Sequence, residues 1–78
     1  MKNIEILIDD AGSISVTALA PIGCVAAASD GSNCLAMLVR REGESLSQLL
    51  ERLDQAIGLA WSQGLFTDEV NDRDSSTP

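Results

Sequence analysis

The chain of 78 residues contains no histidine and no tyrosine, and its aromatic side chains are one tryptophan and one phenylalanine. The lack of histidine excludes Ser-His and Cys-His nucleophile pairs, the most common general base and histidine-based zinc sites. We therefore expect a protein that is not an enzyme and that needs no cofactor. A small enzyme that uses Asp9, Asp10 or Glu44 as a base is the least favoured alternative.

Positively charged side chains are also scarce, because 5 Lys and Arg stand against 12 Asp and Glu, with a net charge of -7. Phosphate contacts need several basic side chains on one surface, so this balance argues against binding a nucleic acid. An acidic surface favours a basic protein partner, or else it only keeps the protein in solution.

Long hydrophobic runs are missing too. No apolar stretch approaches the roughly 20 residues of a membrane span, and no charged start followed by an apolar stretch resembles a signal peptide. We expect no membrane segment and a cytoplasmic location.

The sequence predicts four strands separated by turn-forming residues. Apolar and polar residues alternate in residues 4–8 and 13–20, whereas residues 22–29 and 34–39 are apolar on both faces. Pro21 ends the second strand because proline has no N–H for a sheet ladder. Residues 22–29 are also compatible with a helix by propensity, but the Asp30-Gly31 turn signal favours a strand.

The helix signal begins at Ser45, which forms a capping box with Gln48. Apolar residues then recur at three- and four-residue spacing along one face. They are Leu46, Leu49, Leu50, Leu53, Ile57, Ala60 and Trp61. For Trp61, packing in the core is favoured over a role in an interface. Gly64 predicts the end of the helix.

These elements predict an α+β fold: a four-stranded antiparallel meander sheet with one amphipathic helix on one face, in the order ββββα. We assign residues 1–66 to a single domain and residues 67–78 to an acidic, mobile C-terminal tail. Phe66 and Val70 stand four apart, so this segment is also compatible with a short helix that folds on a partner.

One helix covers only one face of such a sheet, and the other face would expose apolar side chains. We therefore expect a homodimer. The predicted dimer face consists of Leu7, Leu19, Val25, Ala27, Ala36 and Leu38. The alternative is that water tolerates a mild surface of alanine and cysteine.

The predicted strand directions also separate the charges. Lys2, Arg40 and Arg41 are expected at one end of the domain, and an acidic pole at the other. The partner-binding residues predicted at this pole and in the tail are Asp9, Asp10, Asp30, Asp68, Glu69, Asp72 and Asp74, with Phe66 and Val70. Such a pole attracts a basic surface and speeds encounter.

The turn aspartates and the cysteines are candidates for a metal site and a disulfide. Asp9, Asp10 and Asp30 offer oxygen ligands that suit Ca²⁺ or Mg²⁺, but turn formation explains them without a metal, and we expect none. A hairpin that turns at residues 30–31 places Cys24 and Cys34 too far apart for a disulfide, so both are expected as buried thiols.

Two segments carry a family resemblance. Pro21-Ile22-Gly23-Cys24 after a strand, and residues 43–50 (Gly-Glu-Ser-Leu-Ser-Gln-Leu-Leu) at the start of a helix, resemble the N-terminal domain of HicB-type antitoxins. The resemblance implies a small antiparallel sheet packed on a helix and a role in binding a small basic toxin.

The sequence thus predicts a non-enzymatic, acidic protein-binding module, namely an inhibitor, a regulator or an antitoxin-like protein, that engages a basic protein partner. The alternative is a self-associating homodimeric domain without a dedicated partner.

Overall fold

The computed structural model describes residues 1–71. Its elements are two helices and four strands: α1 (Lys2–Asp9), β1 (Ser13–Leu19), β2 (Gly23–Ser29), β3 (Cys34–Val39), α2 (Leu46–Gln63) and β4 (Thr67–Asp68). The strands form one sheet in the order β1-β2-β3-β4, in which only β4 runs parallel to its neighbour. The α+β class is confirmed, but the sheet is mixed.

Three of the predicted strands and the long helix lie where the sequence places them. The connection from β3 through α2 to β4 is a βαβ unit, because parallel neighbours need a crossover that returns the chain to the starting end of the sheet. The prediction of a first strand at residues 4–8 is wrong, since this segment is α1.

The helical conformation of α1 has two physical causes. Ile4, Leu7 and Ile8 also fit helical spacing, and Leu7 is only 1% exposed in the core. The first turn lacks a cap from its own N-cap residue, but the Asp54 carboxylate on α2 accepts a hydrogen bond from the Ile4 N–H at 2.8 Å. The Asn3 side chain donates to the Asp54 carbonyl at 3.0 Å. Tertiary contacts with α2 therefore select helix over strand.

The end of α1 is a Schellman motif. Ala11 has a φ of 67°, and the N–H groups of Gly12 and Ala11 donate to the carbonyls of Leu7 and Ile8. A Cβ on Gly12 would lie 2.8 Å from the Ser29 carbonyl oxygen, so only glycine fits between α1 and β2.

The core lies between α2 and the central strands. Its buried members are Leu7, Ala26, Ala28, Leu35, Ala36, Leu38, Leu49, Leu53, Ala56, Ile57 and Ala60. The predicted helix stripe is confirmed in its middle, whereas Leu46 and Trp61 at its ends are exposed. The capping box at Ser45 and the left-handed Gly64 at the end of α2 are both present.

The two ends of the sheet carry different connections. The hairpin end carries the β2–β3 turn at residues 30–33 and the start of β1. The loop end carries residues 40–45, between β3 and α2.

Candidate functional site

The hairpin end combines acidic and large apolar side chains. Asp9 and Asp10 precede β1, whose first residue pairs with the last residue of β2, so they lie near Asp30. Helix α2 runs from the loop end toward the hairpin end, and β4 starts back beside Ala36. This path brings three exposed apolar residues to the same end, namely Trp61, Leu65 and Phe66.

Asp30 organises the turn at this end. Its carboxylate accepts hydrogen bonds from the N–H groups of Ser32 at 2.9 Å and Asn33 at 2.7 Å. These two bonds lower the pKa of Asp30, and the carboxylate remains exposed. A turn therefore accounts for this aspartate and fixes its negative charge at the tip of the hairpin.

The apolar part of the hairpin end consists of three large exposed side chains. Trp61 is 44% exposed, Leu65 is 53% exposed and Phe66 is 60% exposed. The prediction that Trp61 packs in the core is wrong, because in this last part of α2 the buried residues are Ile57 and Ala60, and Trp61 is exposed. Leu65 is not among the predicted partner-binding residues, because its place after the Gly64 cap predicts packing on the last turn of α2, and the structure instead leaves it exposed.

The other predicted partner-binding residues lie elsewhere. Asp68 pairs with Met37 along the edge of the sheet, and its carboxylate accepts a hydrogen bond from the Asn71 N–H, which lowers its pKa. Glu69 lies at the loop end beside Val39, and Val70 is partly buried. The structure therefore does not place Glu69 at the acidic pole. Asp72 and Asp74 lie outside the described residues, while residues 67–71 of the predicted tail form β4 and one helical turn.

The loop end is held by an ion-pair network that we name the Arg52 clamp, formed by Arg52, Glu44, Glu69 and the backbone of Val39. The Arg52 guanidinium donates to both Glu44 carboxylate oxygens at 2.7 and 3.0 Å. It also donates to Glu69 at 2.9 Å and to the Val39 carbonyl at 3.0 Å. Glu69 in turn accepts from the Val39 N–H at 2.9 Å. The clamp thus joins α2, the end of β3 and the turn after β4.

The clamp controls the ionisation of Glu44. Hydrogen bonds from the Arg52 guanidinium and from the Arg41 N–H lower the pKa of Glu44 from 4.5 to about 2. A carboxylate that acts as a general base at neutral pH usually has a pKa raised toward 7. Glu44 is shifted in the opposite direction, so its environment is that of a structural ion pair.

The predicted dimer face does not form one surface. Leu7, Ala36 and Leu38 are buried in the core, which corrects their assignment. Ala36 and Leu38 pair with Ala28 and Ala26, and this register turns them toward α2.

The remaining predicted dimer residues lie on the opposite face. Val25 pairs with Thr17, and Ala27 pairs with Ser15. These residues alternate with the core residues along the strands, so their side chains lie on the opposite face of the sheet, as does that of Leu19. Val25 is buried and Ala27 is partly buried there, while Leu19 is exposed.

The cysteines also differ from expectation. The β2–β3 turn spans residues 30–33, so Ala27 pairs with Met37, and Cys34 pairs with Ser29. Both cysteines are free, but Cys34 is exposed and Cys24 is only partly buried. Among residues 1–71, no three acidic, cysteine or histidine side chains gather as a metal site.

Comparison with known proteins gives no relative, because no protein family model, curated protein or solved structure matches the chain. The two helices described in residues 1–71 are both too short or too polar to span a bilayer.

Proposed function

We propose that this chain is a small acidic protein-binding module that engages a basic protein partner through the hairpin end. The observation that carries the proposal is that Trp61, Leu65 and Phe66 are exposed at the same end of the sheet as the exposed carboxylates of Asp10 and Asp30. Aromatic side chains dominate the energetics of protein interfaces, and exposed apolar side chains that lie together often mark an interaction site.

The charge pattern supports a basic partner. Within residues 1–71 the exposed cations are Lys2, Arg40 and Arg41, which lie at the start of α1 and at the loop end. In the part of the chain that the structure describes, the hairpin end therefore carries acidic side chains and none of these cations, and such a negative charge speeds association with a positive surface.

An inhibitor or an antitoxin-like protein is the form of this function that we propose. The resemblance of residues 21–24 and 43–50 to HicB-type antitoxins implies a basic toxin as the partner. The non-enzymatic part of the proposal is supported by Glu44, whose lowered pKa suits the clamp and not proton transfer.

The test is a capture experiment from the native cell followed by titration of the purified partner. We expect a partner of high pI whose affinity falls steeply as salt rises. Trp61→Gln combined with Phe66→Gln should weaken binding at least about tenfold, because each truncates an interface aromatic. Asp10→Asn combined with Asp30→Asn should mainly slow association.

Matched controls change the same chemistry elsewhere. Leu46→Gln removes an apolar side chain that is 49% exposed at the start of α2, and Glu42→Gln combined with Glu51→Gln removes two exposed charges. These variants should bind as the unmodified protein does. If the control and hairpin-end variants lose affinity equally, or if the captured partner is acidic, the proposal fails.

A further inference from the structure

Strand β1 presents an open edge. It lies at the end of the strand order and pairs with β2 only, and six of its seven residues are exposed. Its sequence, Ser-Ile-Ser-Val-Thr-Ala-Leu, contains no charge and no proline, and its pairing with β2 has no bulge. Natural sheets normally protect an edge strand with a charged residue, a proline or a bulge. The edge of β1 has none of these, so it is suited to pairing with another strand.

The ladder shows which backbone groups of β1 point outward. The Arg40 N–H donates to the Cys24 carbonyl at 2.8 Å, so the backbone groups of Cys24 point toward β3. Along an antiparallel ladder the direction of the backbone N–H and C=O groups alternates from one residue to the next. The backbone groups of Val25 therefore point toward β1, and those of its partner Thr17 point toward β2. The N–H and C=O groups of Ile14, Val16 and Ala18 therefore point away from β2.

We propose that a second copy of this chain occupies this edge, with the two β1 strands antiparallel and Val16 opposite Val16 on the twofold axis. Ile14 of each copy then faces Ala18 of the other, and all three outward-pointing residues form hydrogen-bonded pairs. The side chains match as well, because apolar residues meet on one face and Ser15 meets Thr17 on the other. The two four-stranded sheets become one continuous sheet.

The helices favour the same register. On the helix side of β1, Ile14 packs against the core near α1, whereas Val16 is 42% exposed and Ala18 is exposed. In the antiparallel pair, α1 of each copy lies beside the second half of β1 of the other copy, where Ala18 is exposed. Asn3 binds α2, and Ile8 lies about 140° around α1 from Asn3. Ile8 is 49% exposed and is therefore on the side of α1 away from α2, toward the junction of the two β1 strands.

Electrostatics do not oppose this assembly. Asp9 and Asp10 precede the first residue of β1, so in the antiparallel pair they lie near Leu19 and Ala20 of the other copy. The acidic groups of the two copies are then separated by about 20 Å, the length of the strand, and salt screens charges beyond about 8 Å. The hairpin-end aromatics lie beside β4, at the opposite edge of the sheet from β1, so the dimer leaves Trp61, Leu65 and Phe66 free to bind a partner.

The first test is molar mass by light scattering over a range of concentrations. We expect the unmodified chain to dimerise to twice 8.2 kDa. Val16→Lys places two lysines opposite each other and should raise the dissociation constant about tenfold or more. Because Val16 is exposed, the variant keeps its fold, which circular dichroism checks. Leu65→Lys, at an exposed residue next to β4, is the matched control and should dimerise normally.

A cross-linking test fixes the register. In a chain with Cys24→Ala and Cys34→Ser, Val16→Cys brings two thiols to a pair of Cα atoms about 5.5 Å apart, so mild oxidation should give a covalent dimer. In Thr17→Cys the two cysteines are two positions out of register, with Cα atoms more than about 7 Å apart, so this variant should form no disulfide between copies. A monomeric unmodified chain, an unaffected Val16→Lys dimer or equal cross-linking of both cysteine variants would overturn the proposal.

Discussion

Ala11 carries the clearest backbone strain in the described chain. It has a φ of 67° at the end of α1, where an L side chain costs about 1–2 kcal/mol. Ala11→Gly should therefore stabilise the protein by up to about 1 kcal/mol, after the added freedom of glycine in the unfolded state is counted. Urea denaturation measures this as a higher midpoint.

The neighbouring Gly12 supplies the contrast for that prediction. A Cβ there would meet the Leu7 side chain and the Ser29 carbonyl oxygen, so Gly12→Ala should destabilise by about 1–3 kcal/mol. If both substitutions shift the urea midpoint in the same direction, the left-handed conformation at Ala11 and the close contacts at Gly12 do not determine the stability of this turn.

Glu44 makes stability depend on pH. Its pKa in the folded protein is about 2, below the ordinary value of 4.5, so the folded state binds this proton less readily than the unfolded state. Its contribution is complete above about pH 4.5 and is lost as the pH falls toward 2. Glu44→Gln should remove this part of the acid sensitivity, measured as urea midpoints from neutral pH down to that pKa.

Glu42→Gln is the matched control, because Glu42 is exposed and lies two residues away in the same loop. It should keep the full acid sensitivity. Identical pH profiles for Glu44→Gln and the unmodified protein would show that the clamp does not hold the Glu44 carboxylate in its charged form.

At the scale of elements, local signals identified most of the chain. The capping box at Ser45, the glycine at position 64, the alternation in β1 and the apolar runs of β2 and β3 around the Asp30-Gly31 turn are local signals, and the structure has them where predicted. The segment at residues 4–8 fits strand and helix equally well, and the deciding contact with Asp54 comes from a residue about 50 positions away. No local pattern contains that information.

That contact gives a prediction for α1. Asp54→Ala removes the acceptor for the Ile4 N–H and should destabilise the protein by about 1 kcal/mol, as expected for a lost N-cap. Amide exchange should increase in the first turn of α1 and not in β2. Asp54→Asn keeps an acceptor oxygen and should recover part of the loss.

The control for this prediction is Glu51→Ala, which removes an exposed carboxylate about one turn earlier on α2. It should leave exchange in α1 unchanged. Faster exchange spread evenly over the whole chain in Asp54→Ala would contradict a local capping role.

At the scale of the molecule, the position of β4 decides which residues come together. The sequence places residues 67–78 in a tail, so Glu69 is expected at the acidic pole with the other acids. The parallel pairing of Thr67 with Ala36 instead carries Glu69 to the loop end. A strand of two residues has no detectable alternation, so the sequence does not reveal β4. The aspartates and Phe66 of the candidate site can therefore be predicted from the sequence, but the position of Glu69 outside it cannot.

The Arg52 clamp accounts for that position and gives the last prediction. Arg52 contacts Glu44, Glu69 and the Val39 carbonyl from one planar guanidinium. Arg52→Ala should therefore lower the free energy of unfolding by about 2 kcal/mol, as hydrogen bonds to charged groups are lost. Because Glu69 also holds the Val39 N–H, the Val39 amide should exchange faster, as should the amides of β4.

Arg52→Lys tests whether geometry or charge is responsible. An ammonium group keeps the positive charge but cannot bridge a bidentate carboxylate, a second carboxylate and a carbonyl in one plane. It should recover little of the stability and little of the protection of Val39. Full recovery by lysine would mean that charge alone anchors β4, and unchanged exchange in Arg52→Ala would mean that β4 is held by its pairing with β3 and not by the clamp.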